Sequence, residues 1–162
     1  MNKKEQLEKV SRAITRCKKC DLCKNRHNAV VGAGNICSNI MIVGEGPGYN
    51  EDMTGNAFVG KAGQLLDKEL AAIGLDRTKV YISNIVKCRP PNNRNPLPAE
   101  QDACMDYLRM QFMIQKPKLI ILLGAVASKR LLNPDFRITK EHDRSARKRA
   151  SYSFPPFIRP LC

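Results

Sequence analysis

The sequence predicts an α/β protein of three layers, α/β/α, around a central and mostly parallel sheet. Three observations predict it. Short apolar runs at 40–44, 80–87 and 118–123 alternate with segments of helical period. Strands and helices alternating at that pace form right-handed βαβ units, which makes the strands parallel. The first run also breaks into Gly44-Glu45-Gly46-Pro47-Gly48, with Glu51 and Asp52 just beyond. A glycine-rich turn at the C-terminal end of a strand is where such a sheet holds its ligand.

Taken in order, residues 3–16 carry Leu7, Val10 and Ile14 at helical spacing and read as a helix. Cys17, Cys20 and Cys23 follow, then a polar, basic loop to residue 39. The first strand is 40–44. Residues 53–60 read as a loop. A helix spans 63–73, with Leu65, Leu66, Leu70 and Ile73 on it, and Gly74 stops it. The β-branched run 80–87 is the second strand, followed by a loop rich in Pro and Asn. Pro98 opens a helix that runs to 115. The run 118–123 is a third, fully apolar strand, and a helix follows over 125–132. Ligand-binding loops then belong after Gly44, after Ile82 and after Leu123.

The chain of 162 residues suits one domain with one core. No apolar run approaches the ~20 residues that span a bilayer, and the opening residues lack a signal-peptide core, so a cytoplasmic protein without membrane contact is expected. The net charge of +13 points to a polyanionic partner, nucleic acid first. Residues 143–162 contribute +4 of it and show no helical or strand period. The domain is therefore placed at 1–142, with 143–162 a basic, poorly ordered tail and the last strand of the sheet missing or altered.

Seven cysteines in such a chain argue for metal or redox chemistry rather than disulfides. Cys17 and Cys20 form a CxxC pair. Cys88 closes the second strand and Cys104 lies inside the next helix. Four thiolates gathered by the fold can hold zinc or a [4Fe–4S] cluster, and spacing alone does not choose between them.

Several motifs, in one order, resemble the family 4 uracil-DNA glycosylases, the iron–sulfur type. They are Gly44-Glu45-Gly46-Pro47-Gly48 with Glu51-Asp52, Phe58-Val59-Gly60-Lys61-Ala62-Gly63, Tyr81-Ile82-Ser83-Asn84-Ile85-Val86-Lys87-Cys88-Arg89-Pro90-Pro91, and Leu122-Leu123-Gly124-Ala125. The resemblance runs from about Cys17 to about His142. It implies a [4Fe–4S] cluster on Cys17, Cys20, Cys88 and Cys104, with Cys23, Cys37 and Cys162 outside the ligand set. It implies a monomer that lifts uracil out of single- or double-stranded DNA and hydrolyses its bond to the sugar, leaving an abasic site. Phe58 is then the stacking surface and Asn84 the reader of the uracil edge. Gly44, Gly46 and Pro47 form the wall where backbone approaches the base. Glu45 and Glu51 are the candidate carboxylates for placing water or stabilising the cationic sugar. Lys61, Lys87, Arg89 and Arg94 are candidate phosphate contacts. Two alternatives stay open: an iron–sulfur or zinc protein that binds nucleic acid without catalysis, and an electron carrier built on the CxxCxxC run.

The tail departs from the family pattern. A late His-Pro-Ser motif, whose histidine donates to uracil O2, is absent. Phe157-Ile158-Arg159-Pro160 can be encoded by bases that read His-Pro-Ser in a shifted frame, so a frame slip near codon 143 is one explanation. Loss of such a donor is expected to cost about 10²–10³-fold in activity.

Overall fold

The computed structural model describes residues 2–141. The expectations for 142–162, namely the disordered tail, the altered last strand and the missing histidine motif, lie outside the described residues.

Helix α1 (Lys3–Thr15) starts on a reciprocal cap: the Glu5 amide donates to Asn2 Oδ1 at 2.9 Å and the Asn2 amide to the Glu5 carboxylate at 3.1 Å. A 3₁₀ turn at Asp21–Cys23 leads to the two-residue strand β1 (Ala33–Gly34). Then come β2 (Ile40–Gly44), α2 (Tyr49–Thr54), α3 (Lys61–Ala72) and β3 (Tyr81–Asn84). A second 3₁₀ turn, Pro91–Asn93, precedes α4 (Pro98–Gln115), β4 (Leu119–Leu122), α5 (Ala125–Leu131) and α6 (Ile138–Glu141).

The sheet order is β1-β3-β2-β4. β2 runs parallel to both neighbours, with Gly44 opposite Asn84 and Val43 opposite Leu122. β1 pairs antiparallel at the edge of β3. The expected three-layer, mostly parallel α/β architecture is therefore present. Side chains alternate across β2 as the pleat requires. Met41 and Val43 pack with Val10, Ile14, Leu108 and Phe112 of α1 and α4, while Ile42 packs with Leu70, Val80 and Ile82 beneath α3. No helix among the described residues is long and apolar enough to cross a membrane.

Three local expectations change. The second strand ends at Asn84, three residues early. Ile85 and Val86 still donate to the carbonyls of Gly44 and Glu45, but β2 has turned away and offers no further ladder. Their apolar character reports burial under α4 rather than pairing. Residues 49–54 form α2, because the Glu51 carboxylate accepts from the Gly48 amide and caps the turn. β1 was not legible, since two residues, one of them glycine, carry no period.

Candidate functional site

The C-terminal ends of β2 and β3 lie side by side, and three predicted residues meet there. A Cβ on Gly44 would stand 2.4 Å from Phe58 Cζ and 2.7 Å from Asn84 Oδ1. Only glycine leaves room for that approach. Asn84 is 2 % exposed, and its Oδ1 is a buried acceptor without a hydrogen-bond partner. A buried, unpaired amide oxygen costs about 1–3 kcal/mol; this one lies against an aromatic edge and a bare glycine, with no protein donor.

Phe58 is half-buried and held in the left-handed region, at φ 56°. Its backbone is fixed from two sides. Arg77 donates to the carbonyls of Ala57 and Phe58. Gly63 of α3 is packed so tightly on the Phe58 carbonyl that a Cβ would lie 1.7 Å from its oxygen. The ring is thereby carried on a rigid turn.

The two candidate carboxylates differ. Glu51 Oε1 accepts from the amides of Val59 (2.8 Å) and Gly60 (2.7 Å), and Oε2 accepts from Gly48 (3.1 Å). This carboxylate ties the Phe58 loop to the glycine turn, and both oxygens are engaged. Glu45 has no side-chain hydrogen bond among the described residues, and burial raises its pKa above the usual carboxylate value. Asp52, 1 % exposed, is a second anchor: it accepts from the amides of His27 and Asn28 and contacts His27 Nδ1 at 2.9 Å. Gly46 and Pro47 continue the wall, Pro47 buried.

Cys17, Cys20, Cys88 and Cys104 line one cavity, together with Cys23, Arg26, Lys87 and Tyr107. N–H groups point at three of the four sulfurs. Arg26 Nη1 donates to Cys88 Sγ (3.0 Å), the Lys87 amide to Cys104 Sγ (3.3 Å) and the Lys19 amide to Cys17 Sγ (3.4 Å). Burial pushes the Cys88 thiol up and the Cys104 thiol up to about 11, so this setting favours thiolates only with a cation among them. No three His, Cys, Asp or Glu side chains among the described residues are arranged to hold a metal ion.

Lys87 is corrected. Instead of reaching phosphate it is 1 % exposed, and Nζ donates to Ser83 Oγ (2.7 Å), the Asn84 carbonyl (2.8 Å) and Gln111 Oε1 (2.8 Å). Burial lowers its pKa to about 8. It braces the end of β3 against α4 from inside. Arg94 is committed to a two-pronged pair with Glu100, at 2.9 and 2.7 Å. Lys61 is exposed. Arg26, Arg77, Lys87 and Gln111 escaped sequence reasoning as positioning residues. Their partners lie 19 to 62 residues away in most of these contacts, beyond any local pattern.

The family model of the uracil DNA glycosylase superfamily matches residues 31–155. The type-4 uracil-DNA glycosylase of Archaeoglobus fulgidus is 49 % identical over 129 residues, 80 % of this chain and 65 % of that protein. The type-4 uracil-DNA glycosylase of Thermotoga maritima is 51 % identical over 125 residues, 77 % of this chain and 65 % of that protein. A type-5 uracil-DNA glycosylase of Pyrobaculum aerophilum is 32 % identical over 114 residues, 61 % of this chain and 50 % of its own length. The chain spans about 65 % of the length of the first two relatives.

Proposed function

The chain belongs to the uracil DNA glycosylase superfamily, and from that premise we propose that it is a DNA-repair hydrolase that takes uracil from DNA and leaves an abasic site. The observation that carries this is the buried, unpartnered Oδ1 of Asn84, set between Phe58 and Gly44. Uracil offers N3–H as a donor and O4 as an acceptor. One carboxamide meets both, Oδ1 accepting from N3–H and Nδ2 donating to O4. Cytosine reverses the pattern and would leave the buried oxygen facing another acceptor, which discriminates strongly. Phe58 stacks on the flipped ring. Glu45, unpaired and partly desolvated, places the attacking water or stabilises the positive charge that builds on the sugar. Glu51 acts one step back, holding Phe58 and the glycine turn in register through three amides.

The same reading assigns a [4Fe–4S] cluster to Cys17, Cys20, Cys88 and Cys104, which line one cavity and would have to draw together to hold it. Four thiolates suit zinc or a multi-iron cluster, and similarity to the type-4 uracil-DNA glycosylases favours the cluster. When bound, the cluster supplies a covalent tie between the N-terminal segment, the end of β3 and α4. The same reading takes the acting species to be a cytoplasmic monomer, in a compartment where thiols stay reduced.

The test is a single-stranded oligonucleotide carrying one deoxyuridine, incubated with the protein and then treated with alkali. Strand nicking at uracil, absent at cytosine and lost in Asn84→Ala, is the expected result. Binding without nicking would leave a nucleic-acid-binding protein in place of an enzyme.

A further inference from the structure

The two loops that form the pocket also meet at their outer rim. Gly46 brings the glycine turn against the segment after β3, where a Cβ would lie 2.7 Å from Val86 Cγ2. Beyond that contact, Arg89 lies over the ring of Tyr49, its Cζ 5.1 Å from the ring centroid. Arg89 is held in place by its Nε, which donates to Asn93 Oδ1 at 2.7 Å. Tyr49 is the first residue of α2 and is 55 % exposed. One face of the ring is covered by a cation, and the exposure leaves the rest to solvent.

An aromatic ring in that position is an exception to ordinary burial. Tyr49 follows directly on the turn that holds the base, and Arg89 directly follows Cys88, five residues after Asn84. Arg89 fixes the ring's orientation, so little freedom is lost when a second flat group lies on it. The net charge of +13 draws a polyanion toward the protein, and Arg89 puts one of those charges at this rim.

We propose that Tyr49, oriented by Arg89, is a stacking platform for an unpaired nucleobase beside the flipped uracil, which makes single-stranded DNA the preferred substrate. This rests on the uracil reading above and names the form of DNA that the site takes. In a single strand the neighbouring base is free to leave its own stack and lie on the ring. In a duplex it is paired and stacked on both sides, and the platform gains nothing from it. Base–aromatic stacking of this kind is tolerant of sequence. The preference is therefore for strandedness, without a preferred neighbouring base.

A simpler role for the pair is to staple the two loops together, and the experiment separates the two. Fluorescence anisotropy with the full chain compares two single-stranded oligonucleotides. Both carry one 2′-fluoro-2′-deoxyuridine, which resists cleavage. One has normal nucleotides around it, and the other has tetrahydrofuran spacers on either side. The protein is expected to bind the first at least about fivefold more tightly, the lower end of one base–aromatic stack. Tyr49→Ala should bind both alike, at the spacer level, and Tyr49→Phe should keep the preference. Affinity for duplex should not change in Tyr49→Ala. Equal binding of both oligonucleotides by the unaltered protein overturns the proposal. So does a Tyr49→Ala variant that weakens both by one factor, since a staple acts on every substrate. Should Tyr49→Ala melt early by circular dichroism, Tyr49→Leu, which keeps apolar bulk beneath Arg89 and has no ring, takes its place and is read by the same outcomes. Replacing the uracil by thymine tests the underlying reading separately. Undiminished affinity for thymine would sink uracil recognition and leave the spacer comparison standing.

Discussion

The proposed base site and the cysteine cavity hang on the same short stretch, residues 84–88, and are built by opposite means. The pocket is made where backbone comes close: Gly44 against Phe58 and Asn84, and Gly63 against the Phe58 carbonyl. The cavity is made by side chains collected from α1's end, the end of β3 and the middle of α4. One leaves an acceptor unpaired for a ligand. The other surrounds its sulfurs with donors, Arg26 and the amides of Lys19 and Lys87. The unpaired acceptor suits the proposed recognition of uracil, and the donors aimed at the sulfurs suit the proposed cofactor.

Breaking the pocket alone should give the largest effect. Asn84→Ala is expected to lower uracil release at least about 100-fold. Its melting temperature should hardly move, because Oδ1 has no protein partner to lose. A large loss of thermal stability would instead make Asn84 part of the scaffold. Breaking the cavity alone should reverse the pattern. Cys104→Ala is expected to remove the absorbance near 400 nm of the purified protein and to lower its resistance to protease, with a smaller fall in uracil release than Asn84→Ala. Cys37→Ala, on an exposed site, should leave both readouts unchanged.

Lys87 tests whether the two regions are joined. Its replacement by Met strips the donor from Ser83 Oγ, the Asn84 carbonyl and Gln111 Oε1. Leaving buried acceptors unpaired should cost about 1–3 kcal/mol in denaturant unfolding. Uracil release should fall in the same variant while the absorbance near 400 nm persists. Unaltered release at normal stability would show the brace to be idle. The smallest effect concerns pH. Burial raises the pKa of Glu45, so its carboxylate takes up a proton at a higher pH than an exposed glutamate does. Activity that needs the ionised form is lost as pH falls through that raised value. The acid limb of the rate profile should therefore lie above the ordinary 4.5, and Glu45→Gln should abolish that limb.

Much of the pocket was legible because its parts are local. A strand that ends in Gly-x-Gly-Pro-Gly, a helix opened by Pro98 and the β-branched run at 80–87 each announce themselves within a few residues. The helix at 98–115 was placed to the residue. The misreadings came where one signal serves two purposes. Ile85 and Val86 look like strand and are buried loop. Lys87 looks like a surface cation and is a buried donor to three acceptors. Glu51 looks like a free acid at the site's mouth, yet three amides engage it.

By itself the sequence determined the layers, the parallel strands and the glycine-rich turn that ends the first of them. Those follow from period, glycine freedom and side-chain chemistry, which are properties of neighbouring residues. Only the tertiary structure decided that four cysteines share a cavity, that Glu45 rather than Glu51 is unpaired, and that Tyr49 meets Arg89 at the rim. Each of those is a contact between distant segments, and such contacts are set by how the helices pack on the sheet.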